Sequence, residues 1–186
     1  PAGVQRRLSE NNALTALDLS GCTALTYLKC ANNQLATLNL GANTALSTLI
    51  VSNNHLPSLD LRANTVLATV TLGQQTITVN ATQQDNVFYA PVGGLTADGV
   101  VYQETEKYEN GNFVTADYAL MQNGFTYEYA TGSDLAGAMT VDVTVVKDFY
   151  QVRFYGDETK NVLLSAVAVN SGQTAVAPTD FALPQC

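Results

Sequence analysis

The stretch "LTYLKCANNQLATLNLGANTAL", residues 25–46, states one pattern twice. Leu25, Leu28, Cys30 and Asn33 stand at offsets 0, 3, 5 and 8, and Leu35, Leu38, Leu40 and Asn43 repeat those offsets ten residues on. Followed outward, units begin at Leu14, Leu25, Leu35, Leu46, Leu56 and Leu67, with lengths that alternate between eleven and ten residues. The bend position of successive units reads Cys22, Asn33, Asn43, Asn54, Asn64 and Gln75. A helix repeats its apolar face every 3.6 residues and a strand every two, so neither explains this period. A stacked coil does. L-x-x-L-x-L gives two apolar side chains to the inner face of a short strand and one just before it. An amide at the following bend can bond inward-facing backbone groups that would otherwise be unpaired.

Residues 14–76 resemble the leucine-rich repeat family, whose signature places Asn or Cys at that bend. More narrowly, they resemble the bacterial class of nested 21-residue, internalin-like repeats, in which both halves of a coil carry the apolar pattern. The resemblance implies about three coils, with a short extended segment on each side. Residues 1–13 hold only a decayed unit ending in Asn12. Stacking near 4.8 Å makes the ladder about 15 Å tall. Three coils are near the minimum for a stable array, so the end after Leu72 needs cover. Ile77 and Val79 continue the apolar register there.

Past residue 76 the pattern changes to alternating strands. "TITVN", "NVFYA", "GVVYQET", "FTYEYA" and "MTVDVTVV" are separated by turn signals such as "GG", "ADG", "ENGN" and "QNG". No helical period is evident. The expectation is an antiparallel, Ig-like β-sandwich over residues 77–148, similar to spacers that follow leucine-rich arrays in bacterial surface proteins. Residues 150–181 resemble the opening half of the β-grasp B-repeat of internalin-type proteins, through V-x-F, V-L and V-x-S-G-x-x-A-x-A-P, but without its aromatic second half. The expected organisation is mainly β throughout: a short leucine-rich repeat solenoid at 1–76, the sandwich at 77–148 and a partial β-grasp-like module at 149–186.

Charge and aromatic content divide near the same place. Residues 1–80 carry four basic and three acidic side chains, whereas residues 81–186 carry four and thirteen. Tyr27 is the only aromatic residue before position 80, and fourteen follow. A net charge of −8 argues against a nucleic-acid partner, whose phosphates would be repelled. No apolar run approaches the roughly 20 residues of a membrane span. No signal-peptide pattern is visible, so an exported protein would be read here in processed or partial form.

Little suggests chemistry. Cys22 and Cys30 fall on framework positions of the repeat and are expected to be buried free thiols, not bonded to each other. His55 takes a variable position, where a solvent-facing residue is the plainer reading. Glu104 and Glu106 share one face of an expected strand and Glu109 follows, yet glycosidase carboxylates act across a cleft from separate elements. No catalytic residue, cofactor or metal site is expected. What remains is surface. Tyr27, Lys29 and Ala31, Thr48, Ile50 and Ser52, then Thr69, Thr71 and Gly73 should face outward on the first strands. Tyr27, Lys29 and Ile50 form the candidate contact patch. The companion strands should show Ala16, Asp18 and Ser20, Thr37, Asn39 and Gly41, then Ser58, Asp60 and Arg62.

The resemblance therefore implies a non-enzymatic, secreted or cell-surface bacterial protein whose repeats bind a protein or glycan. A stalk or filament spacer within a longer chain is the alternative. An accessory domain of an extracellular hydrolase comes third.

Overall fold

The computed structural model describes residues 5–155 and 163–176. The repeat forms a four-stranded, wholly parallel ladder of β1 (Arg6–Leu8), β2 (Tyr27–Lys29), β3 (Thr48–Ile50) and β4 (Thr69–Thr71), in that order. Each strand is displaced from the next by 21 residues, so Arg6, Tyr27, Thr48 and Thr69 lie in one row and Leu8, Lys29, Ile50 and Thr71 in another. The decayed first unit thus contributes a strand of its own. Backbone bonds run from coil to coil, including Cys30 N to Ile50 O at 2.9 Å and Val51 N to Thr71 O at 2.9 Å.

The bends are knitted by side-chain amides. Asn54 Nδ2 donates to Cys30 O and Val51 O, while its Oδ1 accepts from Leu35 N. Gln75 repeats this one coil later, donating to Val51 O and Leu72 O and accepting from Leu56 N. A second ladder runs outside it: Asn53 Nδ2 donates to Asn32 Oδ1, and Asn32 Nδ2 to Asn11 Oδ1. All three asparagines have φ near 55°, a left-handed conformation that Asn tolerates better than other side chains with a Cβ.

The companion halves differ from the expectation of paired extended segments. They hold no ladder strand. Their turns close locally, through Asn43 N to Leu40 O and Asn64 N to Leu61 O, and through Asp18, Asn39 and Asp60, whose Oδ1 atoms accept from backbone N–H two residues on. Coil-to-coil bonds there are few: Gln34 N to Leu14 O and His55 N to Leu35 O at the start of each half, and the amides Asn43, which donates to Leu19 O and Cys22 O, and Asn64, which donates to Leu40 O and Asn43 O. Backbone donors spent on local turns are not available for a second ladder.

Next comes a seven-stranded sheet of β5 (Gln75–Gln84), β6 (Val87–Pro91), β7 (Val100–Gln103), β8 (Lys107–Glu109), β9 (Asn112–Thr115), β10 (Phe125–Ala130) and β11 (Ala138–Lys147), in the order β7-β10-β11-β5-β6-β9-β8. The expectation of an all-antiparallel arrangement needs one correction. β5 runs parallel to β11 over Gln75–Ala81, then antiparallel to β6 over Thr82–Gln84. The chain leaves the solenoid travelling in that direction, and a single ten-residue strand joins both halves of the sheet. Aromatic rings from the two halves pack together, Phe113 lying 4.6 Å from Tyr127 and 5.2 Å from Phe125, centroid to centroid.

The turn signal "ENGN" is the turn of a short hairpin whose strands, β8 and β9, were not among those read, with Asn110 and Gly111 both at positive φ, as a tight hairpin turn requires. The short helix α1 (Tyr118–Asn123) is capped by Asp117, whose Oδ1 accepts from Ala119 N and Leu120 N. Six residues are too few to display a helical period. α1 ends at Gly124, where φ is 84° and an added Cβ would collide with Val143 O.

The last pair, β12 (Phe149–Tyr155) and β13 (Leu163–Asn170), is an antiparallel ribbon. Phe149 anchors it, buried 5.0 Å from Phe88. Much of the sequence read as a partial B-repeat, including residues 156–162 and 177–186 with Cys186, lies outside the described residues.

One apolar cluster runs from Leu19 through the coils to Phe149. The sheet meets the solenoid on its companion side: Tyr127 Oη donates to Pro57 O at 2.7 Å, and Leu61 N to Thr131 O at 2.8 Å. Cover over Leu67, Val70 and Leu72 is partial, and all three remain half-buried.

Candidate functional site

The ladder face follows from the 21-residue register. Lys29 sits between Leu8 and Ile50 in one row, and Tyr27 between Arg6 and Thr48 in the other. Alternation sends Leu28 and Leu49 inward, fully buried, and their neighbours outward. Tyr27, Lys29 and Ile50 are each half-buried by the packing of adjacent coils. The Arg6 guanidinium lies 4.6 Å from the Tyr27 ring centre, a cation–π contact. Lys29 Nζ pairs with Glu10 at 2.7 Å, and that carboxylate holds the ammonium above its usual range. Leu8 is 62% exposed.

The sequence pattern therefore placed Tyr27, Lys29, Thr48 and Ile50 on this face and missed three further residues. Arg6, Leu8 and Glu10 belong to the decayed unit, which aligns with the next coil at a spacing of 21 although it lacks the apolar signature. Ala31, expected outward, is instead buried, under the turn in which Asn11 N donates to Ala31 O. Thr69, Thr71 and Gly73 are exposed as expected.

The other expected features are structural. Cys22 and Cys30 are buried free thiols, and burial pushes the Cys30 thiol up to about 11. His55 is exposed, with Nδ1 2.6 Å from Thr76 O. Glu104 and Glu106 do not lie on a strand. They occupy the bend between β7 and β8, where Glu104 caps Thr126 N and Glu106 caps Ala116 N. Among the described residues, no group of three or more His, Cys, Asp or Glu side chains is placed to hold a metal ion.

The companion face holds a feature the sequence did not reveal. A groove of about 620 Å³ crosses the three half-coils beside Asp18, Asn39 and Asp60, and Gly93 and Gly94 line it from the sheet. A second depression of about 330 Å³ shares Leu59 and Asp60 with it and continues to Arg62, Asp98 and Tyr129. Asp60 and Arg62 form a bidentate pair, with Nε to Oδ1 at 2.9 Å and the second nitrogen to Oδ2 at 2.7 Å. That guanidinium holds the Asp60 carboxyl down at about 2.

A registered ladder of short parallel strands with amide-bridged bends, in a mainly β chain, is a leucine-rich-repeat type of architecture. The functional domain of InlJ from Listeria monocytogenes, which includes a cysteine ladder, is similar in fold, with a TM-score of 0.50 and 21% sequence identity. The match covers 77% of this chain and 34% of that one, so the chain spans about a third of that structure's length. No protein-family model and no curated protein sequence matches the chain. No helix among the described residues is long and apolar enough to cross a membrane.

Proposed function

We propose that this chain is a binding segment of a bacterial surface or secreted protein, not an enzyme, and that its ladder face holds a protein or glycan ligand. In this reading residues 1–76 are the recognition module. Residues 77–148 and 149–186, read from the sequence as Ig-like and β-grasp-like modules, act as spacer. The observation that carries it is the pair of registered rows, Arg6–Tyr27 and Leu8–Lys29–Ile50, on a flat parallel sheet. Backbone ladders and packed coils hold these side chains in place, so little entropy is lost when a partner covers them. Tyr and Arg combine apolar area with a polar tip and often anchor interfaces.

A ligand captured by pull-down or glycan array should bind at least about tenfold more weakly when Tyr27→Ala is combined with Ile50→Ala, equivalent to about 1.4 kcal/mol. Full affinity in that double variant, with the melting curve unchanged, moves the site off the ladder. The stalk alternative draws on the Tyr127–Pro57 and Leu61–Thr131 bonds, which suit a load-bearing junction. It gains ground if the ladder surface accepts arginine or glutamate at Tyr27 and Ile50 without loss of any ligand.

A further inference from the structure

The groove on the companion face and the depression beside it meet at Leu59 and Asp60, forming one trough from the outer half-coils to the sheet. We propose that this trough is a second binding site, on the opposite side from the ladder, for a neutral oligosaccharide. Three features carry the inference.

The first is shape. Outward positions along the floor are small, with Ala16, Ala36 and Ser58 among them, so the half-coils leave a channel instead of a filled ridge. The loop after β6 lines it at Gly93 and Gly94. The trough is thus built by two parts of the fold, as binding clefts commonly are.

The second is chemistry. An apolar floor with a rim of hydroxyl, amide and carboxylate groups suits a sugar, which presents C–H faces and ring hydroxyls together. Asn39 Oδ1 is occupied by Gly41 N at 3.0 Å, and its Nδ2 has no acceptor among the described residues. The Tyr129 hydroxyl lies 3.3 Å from Thr96 Oγ1, which fixes an aromatic wall at the far end.

The third is charge. Both oxygens of Asp60, the acid at the junction, are taken by Arg62, although the two side chains are 60% and 76% exposed. The central carboxylate is therefore neutralised and pre-positioned. Asp18 and Asp98 would attract a basic peptide to the two ends, but at the centre it would have to displace the Asp60–Arg62 pair. An acidic glycan would face Asp18 and Asp98, within a chain of net charge −8. A neutral ligand meets neither obstacle.

The test uses the whole chain on an array of neutral and acidic oligosaccharides, followed by calorimetry with the best neutral one and, separately, a Lys/Arg-rich peptide. Thr37→Trp, which fills the groove from an exposed position, should weaken the oligosaccharide at least about tenfold. Asn39→Asp keeps the acceptor for Gly41 N but removes the amide donor, and should weaken it by a similar factor. The ladder double variant at Tyr27 and Ile50 should leave this binding unchanged, which separates the fate of this proposal from that of the ladder reading. No neutral oligosaccharide bound at millimolar concentration overturns the proposal. So does binding confined to the acidic glycans or the peptide, or Asn39→Asp at full affinity.

Discussion

At Asn43 a side-chain amide stands in for water at two buried carbonyls, Leu19 O and Cys22 O. Truncation to alanine removes one donor from each, while Cys22 N still bonds Leu19 O and Leu25 N still bonds Cys22 O, so the loss is that of two net hydrogen bonds, about 0.5–1.5 kcal/mol apiece. Leu49, fully buried between coils, should lose about 2–5 kcal/mol on conversion to alanine. Denaturant melts of the two variants check this account. A neutral Asn43→Ala beside a costly Leu49→Ala would show that the amide ladder carries no stability. Two ionisable groups make further predictions. The thiol of Cys30 rises from 9.0 to about 11 because burial penalises the thiolate. Native Cys30 should therefore resist alkylation at pH 8, read by peptide mass spectrometry, and react once the chain unfolds. The folded state holds its proton more tightly, so this residue lowers stability as pH climbs from about 9 to 11. Asp60 has the opposite sign. Its carboxyl falls from 3.8 to about 2 through its bonds with Arg62, so its contribution is complete above pH 3.8 and fades as pH drops toward 2. Both partners are exposed, so the contribution is small and salt should screen it.

Single elements depend on what replaces a missing repeat. After β4 no further coil follows, and β5 supplies its substitute: Gln75 gives the third coil the bend amide that a next Asn would have given. A chain cut after Leu72 loses that amide and also the partial cover over Leu67, Val70 and Leu72. It should be poorly soluble or molten, with no cooperative melt by circular dichroism. A well-folded monomeric 1–72 fragment would mean that three coils stabilise themselves without a cap. The first described unit differs from the rest. Arg7 and Ser9 stand where Leu28 and Cys30 stand in the next coil, so polar side chains take framework positions there. That substitution is what made the unit look decayed, although β1 still pairs in full register with β2.

Across the whole molecule, Tyr127 ties the sheet to the solenoid beside the Leu61 N to Thr131 O bond. Tyr127 is fully buried in the aromatic core, yet its hydroxyl reaches Pro57 O in a half-coil 70 positions earlier. Burial pushes that hydroxyl well above the usual tyrosine range, so it remains a donor at all ordinary pH. Tyr127→Phe keeps the packing and removes only this bond. It should cost about 1–2 kcal/mol, since Pro57 O is left unpaired, and should broaden or split the thermal transition. An unchanged single transition would assign the coupling to the continuous apolar cluster instead.

The 21-residue period, the inward leucines and the amide at each bend were all legible in the chain, because each depends on contacts between a residue and its equivalent one coil away. The same regularity placed Tyr27, Lys29 and Ile50 on one face. Expectations failed wherever a partner comes from outside the period. Nothing local in "TITVN" says that β5 must run parallel to β11, 66 positions later at Gln75 and Val141, because the pairing is set by how the whole sheet closes. Nothing in "PVGG" says that the loop lines a groove beside Asp60. The companion half-coils read as strands because their apolar spacing matches the ladder side, while most of their backbone bonds turn locally. Periodic sequence determined the ladder, since repeated neighbours repeat their contacts. The trough, the junction and the direction of β5 were decided only when distant segments met, and the contacts that hold them are not periodic.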